Sequence, residues 1–245
     1  MLPASPELAQ SFGAAAAEYE RVRPDWPPAA VDRAAELLGL EPDAEVVDLA
    51  AGTGKLTRLL AERFGRVVAV EPDDRMRAML DVEAHAGTAE RMPLPAAGAD
   101  AVFVGDAFHW FDAPVALAEI ARVLRPHGGL VLLWQNWWDT EPPIPEEATA
   151  LLREPYERSG RVFQDDVYAW RGAFEGSPFE PPHEETLANE VVVSAEDLAA
   201  LYCSTSSIAS LAEAERSTLL RRLLGILSGD YRLPIEIELV WTRLR

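Results

Sequence analysis

The sequence predicts a doubly wound α/β sheet, on two observations. From Glu45 to Gln135, short apolar runs rich in β-branched residues alternate with stretches of helical period, the pattern of βαβ units and of a parallel sheet covered on both faces. Between the first run and the first helical stretch lies a glycine-bearing turn, Ala50-Ala51-Gly52-Thr53-Gly54, at the sheet end where such folds bind ligands. Glu45 to Leu49 reads as strand one. Leu56, Leu59, Leu60 and Phe64 then recur at helical spacing, and Gly65 is expected to end that helix in a left-handed conformation. Arg66 to Glu71 is the second strand, Asp74 to Asp81 a helix, Ala84 to Gly87 a short third strand and Ala101 to Val104 the fourth. Pro114, placed at the first helical position, opens a helix with Leu117, Ile120, Ala121 and Leu124 on one face. The stretch from Pro126 to Gly129 breaks it before strand five, Leu130 to Trp134.

Residues 1–44 read as a helical cover, with a helix start at Ser5-Pro6-Glu7 and a second helix after Pro27-Pro28 whose Val31, Ala34, Ala35 and Leu38 face the sheet. The core that carries the glycine turn spans 45–138. After the break at Glu141 to Pro145, helical stretches from Glu146 to Arg158 and Gln164 to Phe174 carry Tyr156, Phe163, Tyr168 and Trp170, and 139–180 is expected to form a lid. A strand from Thr186 to Val193, helices from Ser194 to Leu201 and Ala212 to Leu227, and a last strand from Ile235 to Trp241 let 181–245 complete seven strands.

Composition narrows the class of partner. Of 245 residues, 49% are hydrophobic and 26% charged, as in an ordinary globular chain. Forty-one acidic against 22 basic residues leave a net charge of −19, which repels nucleic acid and anionic membrane surfaces. The single cysteine, Cys203, excludes an intrachain disulfide and a cysteine-built zinc site and suits a reducing cytosol. His85, His127 and His183 show no metal-binding spacing, so no metal is expected. The opening MLPASPELAQ has neither a basic nor an apolar signal region, and no apolar run nears the ~18 residues of a membrane span, so a cytoplasmic location is expected. Monomer and homodimer stay open.

Glu71 closes strand two, 17 residues after Gly54, where a carboxylate can accept hydrogen bonds from both hydroxyls of an adenosine ribose. A dinucleotide site would want a third glycine where Thr57 stands, and a phosphate-binding loop would want glycine at Val47 and a hydroxyl residue at Leu56. NAD is thereby disfavoured and ATP by that route excluded. The remaining pattern, Asp48-x-Ala50-x-Gly52-x-Gly54, resembles motif I of the class I S-adenosylmethionine-dependent methyltransferases. The resemblance continues through Glu71-Pro72 with Met76, through Gly87 to Pro95, through Ala107-Phe108-His109-Trp110-Phe111-Asp112 and through Glu119 to Gly129, a run similar to the small-molecule, type 11 branch. Two residues depart from the family pattern: Ala50 stands for its first glycine, and His127 interrupts the usual Pro-Gly-Gly before strand five.

The resemblance implies a Rossmann-like sheet of order 3-2-1-4-5-7-6 and S-adenosylmethionine as cofactor, with S-adenosylhomocysteine as product. It implies that Asp48 binds the amino group of the methionine part, with Asp106 beside it, that Ala50, Gly52 and Gly54 bring the backbone close, and that Glu71 and Pro72 take the ribose. Met76, Ala89 and Glu90 would frame adenine, while Tyr19 and Arg23, from the cover, would reach the methionine part and its carboxylate. His109, just beyond strand four, can serve as general base or as scaffold within an aromatic plug. Trp110, Trp137 and Trp138 can wall an apolar or aromatic acceptor, whereas Trp134 belongs to the core. Arg158, Arg161 and Arg171 read as a charge-balanced face or as contacts to a substrate anion. Function is thus expected to be methyl transfer by in-line displacement to O, N or C of a small molecule. The alternative is a non-catalytic or regulatory protein that binds the same cofactor.

Overall fold

β1 (Glu45–Leu49) is buried at four of its five residues, and it forms the middle of a seven-stranded sheet in the computed structural model, which describes residues 20–136, 144–158, 169–209 and 211–245. β2 (Arg66–Val70) and β3 (Glu83–His85) extend the sheet on one side; β4 (Ala99–Gly105) and β5 (Leu124–Asn136) extend it on the other. These five pair in parallel. β7 (Asp230–Arg243) runs antiparallel to β5 and to the edge strand β6 (His183–Ser194), which makes the order β3-β2-β1-β4-β5-β7-β6. The predicted topology therefore holds. The reversal of strand order between β1 and β4 opens a crevice at the carboxyl ends of those two strands.

Alternation along the strands sends side chains to two cores. Val46, Val67, Phe103 and Val131 face one layer, which holds α1 (Pro28–Leu38), α2 (Lys55–Arg63), and, after β5, α5 (Glu146–Arg158), α6 (Ala195–Cys203), α7 (Ser206–Ala209) and α8 (Glu213–Ile226), counting α3 (Asp74–Arg77) and α4 (Ala113–Val123) before them in chain order. Val47, Leu49, Val70, Val102 and Val104 face the other, where α4 buries Ala116, Leu117, Ile120 and Val123. A Cβ on Gly129 would come within 2.3 Å of Leu38 Cδ1, so glycine at the resumption of β5 is what lets α1 lie close to the sheet.

Several local expectations need correction. Phe64, at φ −121°, ends α2 in extended conformation, and Gly65 avoids the left-handed region; its N–H donates to the Pro42 carbonyl at 2.7 Å instead. The helix expected to reach Asp81 stops at Arg77, because the following amides fall back to tighter bonds, Met79 N–H to Met76 C=O (2.9 Å) and Leu80 N–H to Arg77 C=O (3.2 Å). α4 starts at Ala113, so Pro114 follows its first residue, and Asp112 caps it through Val115 N–H. The Pro126 to Gly129 turn interrupts β5 pairing between Leu124 and Gly129 but falls within the strand. β6 and β7 run well past their expected ends, and the 3₁₀ turn Ala169–Phe174 stands where the end of a helix is expected. The start at Ser5, residues 164–168, and Phe163 lie outside the described residues.

Candidate functional site

A cleft of about 520 Å³, its open mouth included, lies at the carboxyl ends of β1, β4 and β5. Its floor is the turn after β1. Ala50 and Ala51 both donate backbone N–H to the Val70 carbonyl, at 2.8 and 3.2 Å, which bends the chain sharply. The bend needs left-handed backbone at Ala50 (φ 59°), Gly52 (φ 57°) and Gly54 (φ 91°). Gly54 then caps α2, and a Cβ there would collide with Leu80 Cδ2 at 2.7 Å. The amides of the first turn of α2 have no helical carbonyl to bind, which leaves a positive end beside the floor.

Two carboxyls face this cleft. Asp48, 1% exposed, accepts the Thr57 hydroxyl at 2.5 Å; burial, reinforced by the nearby charge of Glu71, pushes its pKa up to about 7 against the pull of that hydrogen bond. Asp106 follows β4 in a left-handed conformation (φ 50°), held because its own N–H donates to the Leu133 carbonyl (2.8 Å) and its carboxylate accepts from Gln135 N–H (3.0 Å). Burial raises its pKa to about 6, opposed by that bond and by the charge of Arg23. Glu71 supports the floor from behind: its carboxylate accepts from Gly52 N–H and from Asp73 N–H, each at 2.9 Å. Burial raises the Glu71 pKa as well.

The roof is the segment 20–26. Arg23, Pro24 and Trp26 line the cleft, and Trp26 packs so closely on β4 that a Cβ on Gly105 would lie 3.0 Å from its ring. Ties to both sides hold this strap: Asp25 with Lys55 Nζ (2.6 Å), Glu20 with Arg58, Arg21 with Asp197, and the Pro24 carbonyl with Gln135 Nε2 (3.2 Å). Two buried polar atoms on lining residues, Thr53 Oγ1 and Gln135 Oε1, make no hydrogen bond among the described residues.

Comparison with known proteins then identifies the family. The methyltransferase domain family matches residues 47–132. An uncharacterized methyltransferase of Schizosaccharomyces pombe is 31% identical over 215 residues, 85% of this chain and 84% of that protein. The chain belongs to the methyltransferase family. Another uncharacterized methyltransferase, from Mycobacterium tuberculosis, is 48% identical over 137 residues, so the chain spans about half the length of that relative, 54%. Among solved structures, a protein from Anabaena variabilis assigned as a methyltransferase of an antibiotic biosynthesis pathway superposes with a TM-score of 0.60 at 21% identity, covering 90% of this chain and 98% of that one. One from Anaeromyxobacter dehalogenans does so with a TM-score of 0.58 at 24% identity, covering 90% and 96%. Both share the fold.

The family implies S-adenosylmethionine, and the cleft of this methyltransferase suits such a cation bearing an amino acid. Two carboxyls with raised pKa await positive charge, a guanidinium lies opposite, and two buried polar atoms await partners. Of the residues expected at the site, Arg23, Asp48, Ala50, Gly52 and Asp106 line the cleft together. Gly54 sits beneath it. Met76 Sδ lies 4.0 Å from where a Gly52 Cβ would be, and Glu71 is bound to the Gly52 amide; neither Met76 nor Glu71 lines the cleft itself. Pro72 is exposed, Ala89 is packed in the core, and the Glu90 carboxylate accepts from Asp112 N–H at 3.0 Å; none of the three lines the cleft. His109 and Trp110 occupy the 3₁₀ turn Phe108–Trp110 outside the cleft lining, their rings 4.9 Å apart. Phe108 is fully buried and its ring meets Phe111, Trp170 and Phe174, and Trp134 stacks on Trp170 at 5.0 Å in the core. Arg158 pairs with Glu215, and Arg171 with Glu184 and Glu238, as a charge-balanced face would. Tyr19, Trp137, Trp138 and Arg161 lie outside the described residues.

Sequence reasoning missed Thr57 as partner of Asp48, Trp26 as a wall and Gln135 as a tie. The spacing of Asp48 and Thr57, nine residues across a strand, a turn and a helical turn, was the available signal for the first.

Proposed function

We propose that the protein transfers a methyl group from S-adenosylmethionine to O, N or C of a small-molecule acceptor. The observation that carries the reading is the convergence of Asp48, Asp106 and Arg23 on one cleft beside a glycine turn, because that charge arrangement complements a zwitterionic amino-acid end. When bound, S-adenosylmethionine supplies an activated methyl on a sulfonium sulfur for in-line displacement. Asp48 and Asp106 would hold the ammonium, Arg23 the carboxylate, and Glu71 the ribose; its carboxylate has about four lone-pair sites and backbone amides use two. Met76, Ala89, Glu90 and Pro72 are proposed around the nucleoside, with Tyr19 at the methionine part. The strap of residues 20–26 excludes water from the amino-acid end and fixes its orientation, which is most of what such a displacement asks of a protein.

His109 is proposed to take the acceptor's proton where the acceptor carries one, and Trp110, Trp137 and Trp138 to wall the acceptor. The charge of −19 and the lack of a long apolar helix among the described residues favour a small molecule over nucleic acid or a membrane, and a cytoplasmic setting. The test is release of S-adenosylhomocysteine from S-adenosylmethionine with a panel of phenols, amines and carboxylic acids. Acceptor-dependent release supports the reading. Tight binding of the cofactor with no release on any acceptor supports a regulatory binding protein instead.

A further inference from the structure

Gln135 lies near the end of β5, 4% exposed, lines the cleft and ties two of its parts together. Its backbone N–H donates to the Asp106 carboxylate at 3.0 Å. Its Nε2 donates to the Pro24 carbonyl at 3.2 Å, from a residue 111 positions away, next to Arg23 in the strap. A carbonyl can only accept, so the amide nitrogen must face Pro24 and the amide oxygen must face away from it. That oxygen is buried and accepts no hydrogen bond among the described residues, on a side chain that lines the cleft. A buried acceptor left without a donor carries an uncompensated desolvation cost, which a bound donor would remove.

We propose that Gln135 is a specificity residue for the ligand's amino-acid end: Nε2 holds the strap, and Oε1 accepts a hydrogen bond from the ligand's ammonium beside Asp106. The proposal rests on the cofactor reading above. It makes Gln135 discriminate ligands that carry an ammonium from those that present only the nucleoside and sulfur.

The test compares two probes, S-adenosylhomocysteine and 5′-methylthioadenosine, by calorimetry on the full chain. The second keeps the nucleoside and sulfur and lacks the amino-acid end. Gln135→Met preserves length and removes both hydrogen bonds; it is expected to weaken S-adenosylhomocysteine about tenfold or more, the value of a hydrogen bond to a charged group, and to leave 5′-methylthioadenosine within about threefold. Gln135→Glu keeps an acceptor for the ammonium while giving up the tie to Pro24, and is expected to retain S-adenosylhomocysteine within about threefold, which serves if the Met variant does not fold. Unchanged S-adenosylhomocysteine affinity in Gln135→Met, or equal loss of both probes in either variant, overturns the role of Gln135 alone. A wild-type chain that binds neither probe overturns the cofactor reading and this inference with it.

Discussion

Asp48 is a carboxyl held where water cannot reach it, with one hydroxyl for company. Its pKa near 7, against an ordinary 3.8, means that the fold prefers it protonated. The sign follows: its contribution favours folding below about pH 4 and is lost as pH rises through 7, when the folded state must carry a buried charge. Asp48→Asn, which still accepts from Thr57, is therefore expected to raise the melting temperature at pH 8, less so at pH 5, and to change it little below pH 4. The same substitution should weaken S-adenosylhomocysteine at least tenfold, a hydrogen bond to a charged group being worth about 1.5–3 kcal/mol. The ammonium of S-adenosylhomocysteine favours the carboxylate form, so wild-type affinity for it should climb from pH 5.5 to pH 8 as Asp106 and Asp48 ionise, which calorimetry across that range would register. Lower stability of Asp48→Asn at pH 8 would contradict the burial argument. His109→Ala is expected to cut turnover at least tenfold, general base catalysis being worth about 10²–10⁴-fold, with cofactor affinity within about threefold; unchanged turnover makes His109 scaffold.

Among the elements, the turns that depart from the family pattern carry a measurable cost. Ala50 and His127 both stand where glycine is usual, and both have left-handed backbone, φ 59° and 63°. His127 at the turn into β5 thus carries left-handed strain that a glycine would avoid. Ala50→Gly and His127→Gly should each shift stability by between zero and about 1 kcal/mol in the favourable direction, because relief of left-handed strain is partly offset by the flexibility glycine adds to the unfolded chain. Gly129→Ala, which drives a methyl into Leu38, should cost about 1–3 kcal/mol. Chemical denaturation of the three variants separates these signs. Element by element, β1, β2, β4 and β5 were legible because they are largely buried and rich in apolar residues, whereas the short edge strand β3, with no buried residue, runs over Glu83–His85 and ends two residues before its expected end. β6 and β7 were read too short because outward positions in their first residues, such as Glu184 and Arg232, break the apolar signal there. The glycine turn, Asp48 and Glu71 were legible through local spacing. Gln135, Trp26 and Pro24 were not, since their meeting depends on a strap that returns across more than a hundred residues.

Across the whole molecule, the active face is assembled from three distant stretches: the β1 turn, the β4 and β5 ends, and the strap. The strap's ion pairs are mostly exposed, as at Arg21 with Asp197 and Arg58 with Glu20, so each is worth about 0–1 kcal/mol and is screened by salt. Raising salt from about 0.1 M to about 1 M shortens the Debye length from ~10 Å to ~3 Å, and dissociation of S-adenosylhomocysteine should then quicken severalfold by stopped flow. A salt-independent rate would mean that the apolar contact of Trp26 and the Gln135 tie hold the strap unaided. The central claim, that this cleft binds an adenosine nucleoside bearing sulfur, with Glu71 on its ribose, is tested most directly by calorimetry of S-adenosylhomocysteine, 5′-methylthioadenosine and NAD against the wild-type chain and Glu71→Ala. Binding of both sulfur nucleosides without NAD, with Glu71→Ala weakening the two alike, is the predicted result; binding of NAD alone, or sulfur-nucleoside affinities untouched by Glu71→Ala, would contradict it.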